Sequence, residues 1–320
     1  MRPAVSIILP TFNRLQYLPA AVESVFNQSF HDWELLIADD GSGPETRAYL
    51  QTLEDPPRVK VLWFSHTGNP PAIRNSALRE AQGEYVAFLD SDDLWQPNKL
   101  ELQIESLRHR MVREWSYTGY SLVNDSGGPL SVQHAKQCPV IDGRILDQLV
   151  KEEAFVMQSS VLARRELVER VGGYDEGLPV CGDYELWIRL AVQSEVDFVD
   201  KPLVFVRRHA EHYSDDVTAL QDLAHALMKI TLSGVASHLD SVLRNRRANV
   251  AANLARGHAL ARNRLRLLST FLTSIRFSWR YPRWWFVVLA LTASTFIPSA
   301  VLKFLRRYRS DHHVKLRSSP

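Results

Sequence analysis

The chain has 320 residues, of which 45% are hydrophobic and 23% are charged, a composition that excludes a disordered or fibrous protein. The formal net charge is only +2, but sixteen of the 38 lysines and arginines lie from Arg244 onward, against a single acid, Asp311. Two cysteines are too few for a disulfide framework or a zinc site, and we expect a reducing cytosol. We therefore predict an acidic globular body with a basic tail that meets an anionic surface, either a membrane or a nucleic acid.

The first 95 residues alternate between short apolar runs and segments with apolar residues at helical spacing. The apolar runs predict strands over residues 5–9, 34–38, 59–63 and 85–89, with Pro10 ending the first of them. The segments between them predict helices over residues 15–28, 44–53 and 70–81. Because strands and helices that alternate at this spacing form β-α-β units, we predict an α/β fold with a doubly wound, mostly parallel, Rossmann-like sheet.

The regular alternation breaks after Trp95. The patterns then predict a helix over 97–110, a helix that begins near Asp183, a turn over 124–129, and strands over 114–123, 155–163, 196–199 and 203–207. From residue 215 onward the chain is predicted to be helical, with Gly257 as one of its breaks. We therefore divide the chain into a domain over 1–214, with halves 1–95 and 96–214, and an all-helical region over 215–320.

Carboxylates follow directly after the fourth predicted strand, at Asp90, Asp92 and Asp93. Acids at the end of a buried strand repel each other and lose hydration, so they persist most easily where a hard cation or its phosphate ligand offsets the cost. Alternatively, Asp90 and Ser91 simply cap the next helix. Doubly wound sheets bind ligands at the carboxyl ends of their strands, so we expect these acids to share one rim with the residues that follow the first two strands.

Residues 284–302 form an uncharged run of nineteen residues. At about 1.5 Å per residue this run approaches the bilayer core of about 30 Å, so its length would permit a single span. Polar residues inside the run and basic residues on both flanks favour instead a helix pair in the plane of an anionic membrane surface, over residues 276–309. A core helix or a protein-partner site is the remaining alternative. A nucleic-acid partner is disfavoured, because the basic residues lead into an apolar run instead of a basic face with stacking aromatics.

Five segments in a fixed order carry a resemblance to a known family. They are S-I-I-L-P-T-F-N-R, I-A-D-D-G-S, I-R-N-S-A-L-R-E-A-Q-G-E-Y-V-A-F-L-D-S-D-D, G-G-Y-D-E with G-D-Y-E-L-W-I-R-L-A, and V-R-R-H-A-E-H-Y-S. Over residues 5–214 the chain resembles the family 2 glycosyltransferases, which adopt the GT-A nucleotide-sugar-binding fold and usually transfer a sugar with inversion. The resemblance implies that residues 1–95 bind the nucleotide sugar and residues 96–214 the acceptor, before a basic, membrane-associating extension.

The resemblance also implies roles for the residues that follow the first two strands. Phe12 would stack on the nucleobase, while Thr11 and Asn13 would bond to the base and ribose. Asp39 would accept a ring N–H of a uracil-type base, with Asp40 as its neighbour. The alternatives are an ordinary strand exit at Phe12 and an Asp-Gly turn at residues 39–41.

Asp90, Ser91 and Asp92 match the D-x-D element of the family. Asp92 would ligate Mg²⁺ or Mn²⁺ and Asp90 would hold the ribose or the ion, because these ions accept one or two carboxylates plus phosphate oxygens. Arg74 would pair with the diphosphate, and His209 would contact the metal or a phosphate. A surface ion pair at Arg74 and a structural histidine at 209 are the alternatives.

Asp183 is the candidate catalytic base, since an acidic pair opens the corresponding helix in family members. Its carboxylate would take the proton of the acceptor hydroxyl as that oxygen attacks the anomeric carbon. Here the pair has become Gly182-Asp183, so the contacts of the first acid are absent. Alternatively, Asp183 is a first-turn acid that stabilises the helix dipole.

The expected protein is thus a metal-dependent inverting glycosyltransferase at the inner face of the cell membrane, peripheral or monotopic, with a single span left open. Its donor would be a UDP- or dTDP-sugar and its acceptor a hydroxyl of a glycan or lipid-linked molecule, in cell-surface polysaccharide or glycoconjugate biosynthesis. The alternative is a non-catalytic nucleotide-sugar-binding regulator or scaffold. A nucleotidyltransferase is disfavoured, because no glycine follows the first strand at Pro10-Thr11-Phe12-Asn13-Arg14. The oligomeric state stays open.

Overall fold

The computed structural model describes residues 2–55, 58–110, 112–130, 141–209, 216–232, 236–261, 263–279, 281 and 284–285. The described residues divide into two compact units. The first unit contains the residues up to 209 and the described part of 225–242, and the second contains 216–224 and the described residues from 243 onward. The first unit thus takes in residues 225–242 in addition to the domain predicted over 1–214.

One mixed sheet of eight described strands forms the centre of the first unit. The strands are β1 (Val5–Thr11), β2 (Trp33–Asp39), β3 (Val59–Trp63), β4 (Tyr85–Phe88), β5 (Leu94–Trp95), β6 (Trp115–Val123), β7 (Leu162–Arg164) and β8 (Val196–Arg207). Their spatial order is β3-β2-β1-β4-β7-β6-β8-β5. The pairs from β3 to β4 are parallel, β7 is antiparallel to both of its neighbours, and β5 is antiparallel to β8. The α/β class and the parallel first half are therefore confirmed, whereas the second half is mixed.

Helices follow β1, β2 and β3 in the order that the apolar spacing predicts, whereas α5 was not predicted. They are α1 (Leu18–Phe26), α2 (Pro44–Gln51), α3 (Pro70–Glu80), α4 (Lys99–His109), α5 (Leu146–Lys151), α6 (Arg165–Arg170), α7 (Gly182–Gln193), α8 (Asp216–Lys229), α9 (Asp240–Leu260) and α10 (Arg264–Ser278). The first turn of α3 is typical: Asn69 accepts from the N–H of Ala72 at 3.4 Å, and prolines fill the first helical positions, where no N–H is needed.

The strand β1 passes through Pro10, which the sequence predicted to end it. Pro10 pairs with Ala38 and Thr11 with Asp39, because a proline lacks only its N–H and can stay in a strand where the ladder does not need that donor. The carbonyl of Thr11 then accepts from the N–H of Asp40 at 2.9 Å. Two more residues are thereby carried to the carboxyl edge of the sheet.

Three further predicted elements differ from the structure. Within the strand predicted over 155–163, residues 158–160 form a 3₁₀ turn because the N–H and hydroxyl of Ser160 both bond back to the Met157 carbonyl, and pairing begins only at Leu162. The two strands predicted over 196–207 are one strand, since β6 pairs along its whole length through a register shift at Gly119. Gly257 lies inside α9 instead of breaking it.

The start of the acid-bearing segment is tightly packed against β1. Ser6 Oγ accepts from the N–H of Gly83 at 2.8 Å and donates to Glu34 at 2.6 Å. A Cβ at Gly83 would lie 2.5 Å from the backbone nitrogen of Ser6, so only glycine allows this approach. The contact sets the position from which β4 runs to Asp90.

The second unit packs around aromatic residues of α10 and the segment after it. The Trp284 ring stacks on Phe271 with centroids 5.2 Å apart, and its indole N–H donates to Ser274 Oγ at 3.2 Å. No helix among the described residues is both long enough and apolar enough to cross a membrane. Of the apolar segment predicted over 284–302, only Trp284 and Trp285 are described, and the rest lies outside the described residues.

Lys99, at the start of α4, is fully buried in the first unit. Its amino group donates to Gln103 Oε1 at 2.7 Å and lies 4.2 Å from the centroid of the Trp95 ring. Burial holds the pKa of Lys99 well below its ordinary value. In the range between that lowered pKa and about 10.5, the unfolded chain binds a proton that the folded chain does not.

We predict that Lys99 makes the free energy of unfolding increase with pH, up to a pH of about 10. Lys99→Met should remove this increase, because methionine binds no proton in either the folded or the unfolded chain. Urea unfolding of both proteins at several pH values between about 7 and 10 measures the difference. The matched control is Lys60→Met, an exposed lysine paired with Glu80. Parallel pH curves for the wild type and Lys99→Met would contradict the prediction.

Candidate active site

The carboxyl ends of β1 and β4 and the turn after β2 border one cavity of about 310 Å³ in the first unit. Nine of the eleven predicted site residues line it: Thr11, Phe12, Asp40, Arg74, Asp90, Ser91, Asp92, Asp183 and His209. The expected convergence on one rim is therefore observed, although the roles assigned to these residues stay predictions. Residues from the second half of the sheet complete the wall.

Asn13 and Asp39 build the turn that follows β2. Both carboxylate oxygens of Asp39 accept from the N–H of Ser42, at 3.2 and 3.1 Å. Asn13 adopts a left-handed backbone with φ of 51°, donates its N–H to Ser42 Oγ at 2.9 Å and accepts from the N–H of Gly43 at 2.7 Å. The Asp39 carboxylate thus holds the turn, while its bond to a nucleobase stays a prediction.

Asp40 anchors the loop that follows β3. One carboxylate oxygen accepts from the N–H and the hydroxyl of Thr67, at 2.7 and 2.9 Å, and the other accepts from the N–H of Gly68 at 2.9 Å. His66 Nδ1 donates to the Asp40 carbonyl at 2.9 Å and lies 3.1 Å from Asp40 Oδ2. The His66 ring stacks on Phe12, with centroids 3.9 Å apart and planes at 18°.

Thr11 brings a polar group into the cavity wall without an internal partner. Its hydroxyl is buried and makes no hydrogen bond within the described part of the chain. An unpaired buried hydroxyl carries a free-energy cost of roughly 1–3 kcal/mol. A ligand that bonds to Thr11 would recover that cost.

Two of the acids after β4 are paired with side chains from other elements that line the cavity. Arg74 Nη2 donates to Asp90 Oδ1 at 2.5 Å, and His209 Nε2 lies 2.9 Å from Asp92 Oδ2. Burial lowers the pKa of Arg74, but the Asp90 carboxylate outweighs this effect and raises it. The side chain of His209 is only 3% exposed. Asp90 and Asp92 therefore hold different partners, and Ser91 lies between them.

Asp93, to which the sequence assigned no separate role, also lines the cavity. Its carboxylate accepts from Ser159 Oγ at 2.6 Å and from the N–H of Arg207 at 3.1 Å. Burial, then the charges of Asp92 and Asp90, raise the pKa of Asp93 well above its usual range. This acid ties the loop after β4 to β8 and to the 3₁₀ turn of residues 158–160.

Arg207 and Tyr17 form a second support that sequence reasoning missed. Arg207 Nε donates to the Asp92 carbonyl at 3.0 Å, and its guanidinium lies 4.9 Å from the Tyr17 ring centroid. Tyr17 also stacks on His209 and bonds to Asp125, and this hydrogen bond raises the pKa of Tyr17 to about 12. Arg207 stands in the quoted V-R-R-H segment and could have been found there, whereas nothing in the sequence links Tyr17 to this region.

Asp183 lies half-buried at the start of α7, with its carboxylate in the cavity wall. Burial raises the pKa of Asp183 to about 6. Two contacts act in the opposite direction and lower this pKa: the hydrogen bond that Asp183 accepts from the N–H of Tyr184 at 2.7 Å, and the charge of the Arg74 guanidinium. At Gly182, a Cβ would lie 3.1 Å from Pro71 Cγ, so the wall is tight against any side chain there.

A buried ion pair fixes α7 to the turn before it. Arg189 donates to both carboxylate oxygens of Glu185, at 2.7 and 2.6 Å, and to the carbonyls of Val171 and Gly173, at 2.5 and 2.7 Å. Glu185 is only 5% exposed, and a buried carboxylate without a partner would destabilise the fold, so the pairing with Arg189 offsets that cost. The pair thus holds the helix that carries Asp183.

Solved structures with a similar fold are GT-A glycosyltransferases. The crystal structure of S. aureus TarS 1-349 in complex with UDP-GlcNAc matches with a TM-score of 0.65 and 18% identity, over 92% of this chain and 88% of that one. The mannosyltransferase PcManGT from Pyrobaculum calidifontis, in complex with GDP-Man and Mn2+, matches with a TM-score of 0.56 and 18% identity, over 92% and 86% of the two chains. At these identities the likeness shows the fold alone.

The sequence profile of Glycosyl transferase family 2 matches residues 6–172, more than half of the chain. The chain therefore belongs to this family of glycosyltransferase enzymes, as the five segments predict. TuaG of Bacillus subtilis strain 168, which is named as a teichuronic acid biosynthesis glycosyltransferase, is 40% identical to this chain over 151 residues. These residues are 47% of this chain and 60% of TuaG. The Escherichia coli protein WfgD, named as a UDP-Glc:alpha-D-GlcNAc-diphosphoundecaprenol beta-1,3-glucosyltransferase, is 38% identical over 122 residues, 38% of this chain and 47% of that protein. The chain thus spans less than two thirds of either relative.

Proposed function

We propose that the protein is an inverting, metal-dependent glycosyltransferase that moves one sugar from a UDP- or dTDP-sugar to a hydroxyl group of a glycan or lipid-linked acceptor. The observation that carries this proposal is the meeting of two groups of acids at one cavity, Asp90 and Asp92 after β4 and Asp183 at the start of α7. An inverting displacement needs two such groups, one for the departing diphosphate and one for the acceptor hydroxyl.

Asp183 is the proposed catalytic base. The acceptor oxygen forms a bond to the anomeric carbon, the bond from that carbon to the diphosphate oxygen breaks, and the hydroxyl proton passes to the Asp183 carboxylate. A pKa of about 6 suits this role, because the group is charged at neutral pH and is a stronger base than an exposed carboxylate. Arg74 supports the charged form, since its guanidinium lowers that pKa.

The residues around Asp92 fit a divalent cation. Asp92 Oδ2 and His209 Nε2 are 2.9 Å apart in the cavity wall, close enough to ligate one ion together. Within the described residues no group of three or more His, Cys, Asp or Glu could hold an ion, so donor phosphates would complete its coordination, as Mg²⁺ and Mn²⁺ allow. When bound, the ion supplies positive charge against the departing diphosphate. Asp90 would contact the ribose or the ion.

The named relatives support the substrate classes of this proposal. TarS was solved with UDP-GlcNAc, and the name of WfgD gives a uridine-linked donor and a diphosphoundecaprenol acceptor. The name of TuaG places that protein in teichuronic acid biosynthesis. We infer a role in cell-surface polysaccharide or glycoconjugate biosynthesis, with the reaction at the cytoplasmic face of the membrane.

The second unit offers a surface for an anionic membrane, in addition to the tail predicted over 276–309. Leu265, Leu268 and Leu272, at helical spacing on α10, are 82%, 54% and 60% exposed, and Trp279 is 54% exposed. From Arg244 onward the sequence has sixteen basic residues and one acid. Two copies of this surface would therefore repel each other, whereas an anionic lipid surface would attract it. We propose that this face lies on the lipid surface.

We predict that Asp183→Asn lowers the transfer rate by about a hundredfold or more while donor binding persists, because the base is lost and the donor contacts are not. In the wild type the rate should fall as pH drops below about 6, where Asp183 becomes protonated. Release of nucleoside diphosphate from UDP- and dTDP-sugars, with lipid-linked diphospho-sugar acceptors, measures both effects.

The control for this experiment is Asp147→Asn, at an acid on α5 that pairs with Lys151 and His238. Unchanged turnover in Asp183→Asn would contradict the assignment of the base. Gly182 favours a second candidate function, nucleotide-sugar binding without transfer, because family members carry an acid there. Donor binding by the wild type without transfer to any acceptor would favour that candidate.

We predict that Mn²⁺ increases the thermal stabilisation that a bound nucleotide sugar produces, and that Asp92→Ala abolishes this increase. The reason is that the ion would be held jointly by Asp92, His209 and the diphosphate. A thermal-shift assay with Mn²⁺ or with EDTA measures it, and Asp32→Ala, at an exposed acid after α1, is the control. An equal Mn²⁺ effect in both variants would place the ion elsewhere.

We predict that the full-length protein floats with phosphatidylglycerol vesicles, and less so with phosphatidylcholine vesicles or at high salt. Replacing Leu265, Leu268 and Leu272 together by glutamine should reduce the bound fraction, because each exposed leucine would enter the lipid surface. Val112→Gln, at a residue that is 82% exposed in the first unit, is the control. Protein that stays free of anionic vesicles at low salt would refute the membrane proposal.

A further inference from the structure

Phe12, the proposed stacking platform for the nucleobase, is covered by a ring that the sequence did not connect with it. His66 stacks on Phe12 with centroids 3.9 Å apart and an interplanar angle of 18°. Phe12 lines the cavity and His66 does not, so the histidine backs the phenylalanine from outside the cavity wall. A ring-to-ring distance of 3.9 Å leaves no space for a base between the two.

His66 is itself held at two independent points. Its Nδ1 donates to the Asp40 carbonyl at 2.9 Å and lies 3.1 Å from the Asp40 carboxylate. Its backbone packs on Gly41, where φ is +77° and a Cβ would lie 2.6 Å from the His66 nitrogen. Only glycine therefore permits the turn after β2 to approach His66 this closely.

We propose that His66 is a positioning residue for the nucleobase, through a chain of contacts from Asp40 to His66 to Phe12. His66 holds the Phe12 ring so that its opposite face is presented to the base of the donor. The two acids of the A-D-D-G run then act differently, because Asp39 holds its own turn while Asp40 orients His66. This inference rests on the proposed function and adds a residue to the donor site.

The proposal separates binding of the base from binding of the phosphates. Stacking on a held ring strengthens the contact with the base alone, so the loss of His66 should weaken a nucleotide but leave a ligand without a base unaffected. Asp92 and His209, which would serve the diphosphate end, do not contact His66 in the described hydrogen bonds and ion pairs. A purely structural role of His66 would weaken both kinds of ligand together.

The test measures the Kd of UDP and the Kd of inorganic pyrophosphate, each with Mn²⁺, by calorimetry on the full-length protein. His66→Ala should raise the Kd of UDP by about tenfold and leave that of pyrophosphate unchanged. His66→Phe, which keeps a stacking ring but loses the bond to Asp40 that orients it, should recover only part of the UDP affinity. His66→Asn, which keeps a donor without a ring, should not. His31→Ala, at an exposed histidine, should match the wild type.

Each other outcome overturns a specific statement. Wild-type UDP affinity in His66→Ala, equal losses of UDP and pyrophosphate, or recovery by asparagine instead of phenylalanine would each overturn the positioning role. If the wild type binds neither UDP nor dTDP while it remains folded, the proposed function fails and the inference fails with it. A failure confined to the His66 variants leaves the proposed function standing.

Discussion

The concentration of carboxylates at the carboxyl edge of the parallel strands is the constraint on which the rest of the site depends. Each acid that β2, β4 and α7 bring to this edge needs a donor or a cation, because like charges in a half-buried wall otherwise destabilise the fold. Asp90 is matched by Arg74 and Asp92 by His209, while Asp183 lies within the field of Arg74. A metal ion that arrives with a diphosphate would be attracted by these same carboxylates, so the charges that need partners in the fold would also recognise the ligand.

The second half of the sheet supports the loop that carries these acids. The antiparallel strand β7 joins the parallel half to β6 and β8, and Ser159, just before it, bonds to Asp93 and accepts from the N–H of Asp90. From the other side Arg207, the last residue of β8, bonds to the Asp92 carbonyl. The loop that carries the acids is thus supported by elements far apart in the chain.

The elements that sequence reasoning predicted well are those whose signal is local. β3 is found at the predicted residues, and α7 begins one residue from the predicted start. Both signals lie within a short stretch of sequence, since an apolar run marks the strand and an apolar face at helical spacing marks the helix. Some of the errors occurred where a partner distant in the chain contributes to the structure. Pro10 stays in β1 because β2 pairs beyond it. The 3₁₀ turn of residues 158–160, which the local bonds of Ser160 form, also places the Ser159 hydroxyl against Asp93 and the N–H of Asp90.

The sequence by itself determined the family, the α/β class and the set of polar residues at the strand ends, since these depend on residue type and spacing along the chain. Only the tertiary structure decided which partner each of them holds. Asp39 and Asp40 are neighbours in sequence, yet one closes its own turn and the other holds a loop 27 residues away through Thr67. The contact of His66 with Phe12 likewise follows from the approach of two loops at one sheet edge, and that approach depends on strand order and turn geometry, which no single segment encodes.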